Sequence, residues 1–195
     1  MANKLERTLV LLKPDAVQRN LIGDILGRFE RVGLKIIAMK FLLPTREQAL
    51  KHYVKNPEEI TALGQRSLDN KRKNGDDVNF DPTEFGQSIV DRLVEYLAHS
   101  PVVALVLEGN SSIVITRKLL GSTEPLNSIV GSIRGDYTID SYHLADEGNR
   151  AVRNLVHASA NEFDANYEIP VWFNENEIFH YKNVRDAVLY DSEFN

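Results

Sequence analysis

Residues 101–109 read PVVALVLEG, a continuous apolar run broken only by Glu108 near its end. A run of this length, rich in β-branched residues, suits a strand buried on both faces. A second apolar run, RTLVLL at 7–12, stops at Lys13-Pro14-Asp15, where Pro14 cannot extend a paired ladder and Asp15 suits a turn. Lys13 is therefore placed at a strand end. LKIIAMKFLLP at 34–44 reads as another strand.

Helical spacing fills the intervals. Leu21, Ile22, Ile25, Leu26, Phe29 and Val32 share one face, and Gly33 supplies a stop. Thr45-Arg46-Glu47-Gln48 has the form of a capping box opening a helix through His52 and Tyr53. Residues 55–86 are polar, with DNKRKNGDD at their centre, and read as a surface excursion with some helix near 57–68. Ile89, Val90, Leu93, Val94 and Leu97 mark the next helix, and Ser112 begins a short one reaching Leu120. A Gly/Ser-containing loop follows at 121–133, Tyr137–Ile139 is expected to be the fourth strand, and 140–149 is polar. Ser159-Ala160-Asn161-Glu162 has the form of a second capping box, whose helix is expected to end at Ile169 because Pro170 follows. The order of elements fits an α+β fold, a ferredoxin-like split βαβ sandwich with a four-stranded antiparallel sheet covered by helices. At 195 residues, with no repeat and no long linker, one domain over 1–195 is expected, with insertions near 56–86 and 140–149.

Composition narrows the chemistry. Zero cysteines exclude disulfides, thiolate nucleophiles and Cys-based zinc sites. A net charge of −5 argues against non-specific nucleic-acid binding. No apolar run approaches the roughly 20 residues of a membrane span. MANKLERTLV lacks the apolar region of a signal peptide, so a cytoplasmic chain without membrane partners is expected. Walker-type and Rossmann glycine loops are absent.

His157, in RNLVHASANE, stands between an apolar pair and what reads as a helix start. Taken locally it is either a core histidine satisfying a carbonyl or a group beside helix-terminal N–H donors that favour anions. Lys13, Arg117 and Arg134 each flank an ordered element, yet singly each reads as a solvated charge.

The combination changes this. LLKPDAVQRNLIG around Lys13, TRKLLGST with Arg117 and Thr123, SIRGDY around Arg134 and NLVHAS around His157, in this order, resemble the nucleoside diphosphate kinase family over about 5–54, 87–141 and 150–189. Trp172-Phe173 also matches. The resemblance implies transfer of a nucleoside triphosphate γ-phosphate to an enzyme histidine and then to a nucleoside diphosphate. A free imidazole, with a pKa of about 6.5, is substantially neutral at pH 7 and needs no strong base to attack phosphorus. By resemblance His157 is the nucleophile and Glu168 the carboxylate on its second nitrogen. Lys13, Arg117 and Arg134 correspond to the phosphate-binding cations, Tyr53 and Thr123 to hydroxyl donors, and Asn154 to an amide contact. Glu162 reads as the capping-box partner.

The family also implies Mg²⁺ bound mainly through nucleotide phosphates, with no dedicated protein metal cage. It implies ATP and other nucleoside tri- and diphosphates as partners, and a homo-oligomer, hexamer or tetramer. Departures are Ala16 and Ala158 where glycine is usual, Ala160 where aspartate is common, and Ile89 approximately where a phenylalanine stacks on the base. A nucleotide-binding or assembly protein of the same fold with lost transferase activity is the alternative reading.

Overall fold

The computed structural model describes residues 5–73 and 75–190. The N-terminal stretch read for a leader peptide begins in residues 1–4, outside the described residues. From the N-terminal side the chain forms β1 (Glu6–Leu12), α1 (Pro14–Gln18), α2 (Ile22–Arg31), β2 (Lys35–Leu42) and α3 (Arg46–Tyr53). Next come α4 (Glu58–Lys73), α5 (Pro82–His99), β3 (Val102–Gly109), α6 (Ser112–Leu120) and α7 (Ile133–Tyr137). The described chain closes with α8 (Tyr142–Glu147), β4 (Val156–Ala158), α9 (Glu162–Trp172) and α10 (Val184–Tyr190).

Among the described residues four strands pair in the order β2-β3-β1-β4, every pair antiparallel. This is the expected ferredoxin-like arrangement. The apolar run at 101–109 is β3, buried at every position, and it pairs with β1 from Glu6↔Gly109 to Leu12↔Val103. Alternation along the two central strands feeds two core layers. Leu9, Leu11, Ala104 and Val106 meet Val90, Val94, Leu97 and Trp172 on one face, while Val10, Leu12, Leu105 and Leu107 meet Ile25, Phe29 and Leu120 on the other. A bulge between Ile36 and Ala38 sends both Ile37 and Ala38 into the first layer, which strict alternation forbids.

Four expectations are corrected. No strand forms at 137–139: Tyr137 ends α7, and the Thr138 hydroxyl donates to the Arg153 carbonyl. The fourth strand is β4, three residues long with His157 at its centre. Ser159 does not cap α9. Asn161 does, its side chain accepting from the Asp164 N–H, and Glu162 is the first helical residue. Finally α9 passes through Pro170 to Trp172. Proline lacks one N–H, but bonding resumes at once, with the Phe173 N–H reaching the Ile169 carbonyl at 2.9 Å, and the extra turn buries Trp172 and Phe173. The first capping box is half made. Thr45 accepts from the Gln48 N–H, whereas the Gln48 amide donates to the Val171 carbonyl and so pins α3 to α9.

The polar stretch at 55–86 is more ordered than its composition suggests. Ile60, Leu63 and Leu68 lie on one side of α4, which extends to Lys73 and packs against α5 at two glycines. A Cβ on Gly64 would lie 1.8 Å from the Pro82 carbonyl oxygen, and one on Gly86 would lie 2.0 Å from that of Ile60. Asp146 of α8 ties the two polar segments together, accepting from Lys71 of α4 at 2.5 Å and Arg92 of α5 at 3.4 Å.

Candidate active site

Backbone strain sets the position of His157. Leu155 has φ +66°, a left-handed conformation costly for a residue with a Cβ. Its surroundings hold it there: its N–H donates to Asp15 Oδ2 at 3.0 Å, its carbonyl accepts the Lys13 N–H at 2.7 Å, and its side chain is fully buried. Asp15 is itself fixed by the Tyr96 hydroxyl, which donates to Oδ1 at 2.5 Å. The turn before β4 is thus gripped from the end of β1 and from α5, and β4 leaves it with His157 opposite Leu11.

One edge of the imidazole is occupied. His157 Nε2 lies 3.0 Å from Glu168 Oε2, and the same oxygen accepts from the Ser159 hydroxyl at 2.7 Å. A carboxylate only accepts, so the proton of a neutral His157 belongs on Nε2 and Nδ1 keeps its lone pair. The Ser159 Oγ also receives the Leu9 N–H, so the buried carboxylate is anchored to β1. His157 is half-buried, which leaves its ring reachable from solvent.

The cations differ in what they are free to do. Lys13 is buried, donates to Asn154 Oδ1 at 2.9 Å, and is pushed down to about 8 by burial first and then by Arg134, with Asp15 partly opposing. Arg134 is also buried and committed. Its Nε donates to the Asn154 carbonyl, one terminal nitrogen to those of Gly121 and Ser122, and the other to that of Val156 at 2.6 Å. Four of its five donors therefore stitch α7 and the 121–122 turn to both sides of Leu155. Burial, then the Arg117 charge, brings its pKa down to about 10. Arg117, on α6, is exposed, and its guanidinium has no hydrogen bond or ion pair among the described residues. Two like charges this close, with only one neutralised by dipoles, form a place for an anion.

Asn154 spends both ends of its amide, receiving Lys13 and donating to the Thr123 carbonyl at 2.8 Å, so it spaces the lysine from the loop. Thr123 is exposed. The Tyr53 hydroxyl is buried with no partner among the described residues, and burial, then Glu168 and Asp15, raises its pKa, so it stays a donor. Ile89 lies half-buried on α5 beside buried Val90, and no hydrogen-bonded group links it to this cluster.

Sequence reasoning missed the supporting residues. Asp15 read as a turn former, Ser159 as a cap and His52 as an ordinary helix position, and Tyr96 was not singled out. His52 is buried against His157, ring centroids 4.3 Å apart. The adjacency of His52 and Tyr53 at one helix end was the signal available.

Comparison with known proteins identifies the family. The profile of the family described as nucleoside diphosphate kinase matches residues 6–61 and 79–178. A nucleoside diphosphate kinase of Pyrobaculum aerophilum is 44% identical over 182 residues, covering 89% of this chain and 98% of the relative. The crystal structure of an NDP kinase from the same organism superposes with a TM-score of 0.85 at 42% identity, covering 90% of this chain and all of that one. A Borrelia burgdorferi nucleoside-diphosphate kinase, solved as a transition-state mimic with vanadate and ADP, gives 0.78 at 38% identity over 96% of this chain and 98% of its own. Matched over most of its length in both sequence and fold, the chain belongs to the nucleoside diphosphate kinase family.

Proposed function

We propose that this protein is a nucleoside diphosphate kinase working by a ping-pong mechanism through phosphorylated His157. The observation that carries the reading is the orientation of that ring: Nε2 faces a buried carboxylate at 3.0 Å, leaving Nδ1 as the nucleophilic lone pair. In the first half-reaction Nδ1 attacks the γ-phosphorus of a nucleoside triphosphate, and the bond to the bridging oxygen breaks with its electron pair leaving on the diphosphate. The Nε2 proton stays on the ring, and the Glu168 carboxylate balances the positive charge that develops there. In the second half-reaction a terminal oxygen of another nucleoside diphosphate attacks the phosphoryl group, restoring His157. Charge on the transferring oxygens calls for fixed positive donors. Lys13 and Arg117 offer them as charges, Tyr53 and Thr123 as hydroxyls, with Asn154 and Arg134 holding the frame.

The acidic groups of the site fit a metal that arrives with the nucleotide. Glu168 is engaged by His157 and Ser159, and Asp15 by Tyr96 and Leu155, so Mg²⁺ would be held by phosphates and water rather than by these residues. When bound there it supplies charge neutralisation between adjacent phosphates.

We read residues 1–195 as one kinase-like domain carrying insertions near 56–86 and 140–149, and its setting as the cytoplasm, where free nucleotides are exchanged. No helix among the described residues is long and apolar enough to cross a membrane. A homo-oligomer, hexamer or tetramer, goes with this reading. Its support is the sheet-edge position of β2, with Met39 and Phe41 exposed on it and Leu43 exposed just beyond.

Incubation with γ-labelled ATP, removal of nucleotide and a chase with GDP tests the function. Acid-labile, alkali-stable label should form on the protein and move to GDP. Absence of labelled protein despite measurable ATP binding would favour the assembly or binding reading.

Two further expectations arise here. Glu168→Gln keeps the size of the side chain and removes its charge, so kcat should fall about ten- to hundred-fold, a cost of about 1.4–3 kcal/mol. A wild-type kcat in steady-state assays would remove Glu168 from the mechanism. Lys13 gives the pH dependence. With its folded pKa near 8, a rise in pH strips the charge from the free enzyme while the phosphates stay anionic. On the alkaline side kcat/KM should therefore drop about tenfold per pH unit above about 8. In Lys13→Met the same limb should be flat at a lower level, and a limb that persists in the variant would assign it to another group.

A further inference from the structure

His52 is buried in the last turn of α3, packed edge-on against three rings: His157 at 4.3 Å, Tyr53 at 4.8 Å and Trp172 at 5.7 Å between centroids. Trp172 Nε1 lies 3.3 Å from His52 Nδ1. An indole nitrogen can only donate, so His52 Nδ1 must carry the lone pair and the proton of the neutral ring is on Nε2. Burial, and then the charges of His157, Lys13 and Lys55, keep the ring neutral far below the ordinary histidine range. The result is an N–H donor of fixed identity with no acceptor among the described residues. The Tyr53 hydroxyl next to it is unpaired in the same way. Buried donors without partners are costly and uncommon, and here two belong to adjacent rings, one of which packs against the nucleophile.

Nitrogens of His52 and His157 and a Glu168 oxygen lie within 4.8 Å of one another, a spacing that by itself suits a transition-metal ion. The tautomer argues otherwise. A metal needs the His52 lone pair, and that lone pair is on Nδ1, receiving the Trp172 N–H. The remaining His52 nitrogen, Nε2, carries a proton that an anionic oxygen can accept.

Building on the phosphohistidine reading above, we propose that His52 is a catalytic residue of the transfer. Its Nε2–H donates a hydrogen bond to a peripheral oxygen of the phosphoryl group on its way to and from His157. Trp172 is the positioning residue that holds the donor tautomer. The acceptor exists only while the group is in place, which explains why the donor has none in the free protein, and why its contribution belongs to the transferring state rather than to ground-state nucleotide binding.

Nitrogen-15 NMR of the histidine rings in the wild-type protein, before and after phosphorylation by ATP, provides the first test. The His52 Nε2–H resonance should report the Nε2–H tautomer in the free protein and move downfield when the phosphoenzyme forms. A resonance unchanged by phosphorylation, or an Nδ1–H tautomer, overturns the proposal. The second test is single-turnover formation of the phosphoenzyme in two variants. His52→Leu, which has no donor, should be slowed about tenfold with KM for ATP within about twofold of wild type. His52→Gln, which keeps an N–H at the end of the side chain, should recover most of the rate. Equal losses in both variants would make His52 a packing residue only. A wild-type protein that binds ATP but never becomes phosphorylated would instead remove the functional reading on which this proposal rests. If His52→Leu fails to fold, the wild-type spectrum still decides.

Discussion

Replacing His157 with alanine should eliminate the phosphoenzyme and lower turnover by about four to six orders of magnitude, the scale of loss when a covalent nucleophile is deleted. Nucleotide binding should stay measurable, because Lys13, Arg117 and the Arg134 frame do not depend on the imidazole. The fold should also survive. His157 is half-buried, β4 is held by its pairing to β1, and the Glu168 carboxylate keeps Ser159 as a donor. Label transfer from γ-labelled ATP and equilibrium nucleotide titration read the two halves of this expectation separately. Label retained by the variant would mean that another side chain is the nucleophile.

The second large effect concerns stability as well as rate. Arg134 donates to the carbonyls of Gly121, Ser122, Asn154 and Val156 from a buried position, so Arg134→Ala leaves those of Gly121 and Val156 without this donor, while Asn154 keeps the Val156 N–H and Ser122 the Ser128 hydroxyl, and it opens a cavity beside the strained Leu155. A loss of about 3–4 kcal/mol is expected, read as a lowered urea midpoint with an unchanged slope. Lysine offers a single ammonium where a planar fork is needed, and Arg134→Lys should recover only part of it. Arg117→Ala is the contrast. That guanidinium is exposed and unpaired among the described residues, so its removal should leave the midpoint within about 0.5 kcal/mol while depressing kcat. If Arg134→Ala instead melts with the wild type and loses only rate, the arginine is a free phosphate clamp and the four carbonyl contacts matter little.

The contrast between the two arginines shows where sequence reading reached and where it stopped. Both could be picked out as site residues by resemblance, but nothing in SIRGDY or TRKLLGST says which guanidinium is committed to backbone carbonyls. That depends on the turn at Leu155, and a left-handed leucine has no sequence signature. The same turn hid β4. Three residues with a histidine in the middle carry too little periodicity to read as a strand, so Tyr137–Ile139, with the better local propensity, was expected in its place. Long apolar runs such as 101–109 were legible because burial on both faces leaves no polar positions. The helix at 58–73 was only partly legible, since it buries a narrow stripe of Ile60, Leu63 and Leu68 in an otherwise charged sequence. Ser159 looked like a cap because a serine three residues before a glutamate usually is one. Here tertiary contacts with Leu9 and Glu168 outweighed the local alternative.

Asp146 has a consequence for how this chain can be shortened or recombined. Because it accepts from Lys71 and from Arg92, the segments near 56–86 and 140–149 are not independent appendages. Excising 140–149 alone leaves Arg92 without its carboxylate and Lys71 with only the 3.8 Å contact to Asp76, and excising the α4 region alone leaves Asp146 with only the longer contact to Arg92. A minimal version should therefore delete both or neither. In a chimaera with a relative the two segments should be exchanged as one cassette, since either half transplanted singly arrives without its Asp146 contacts.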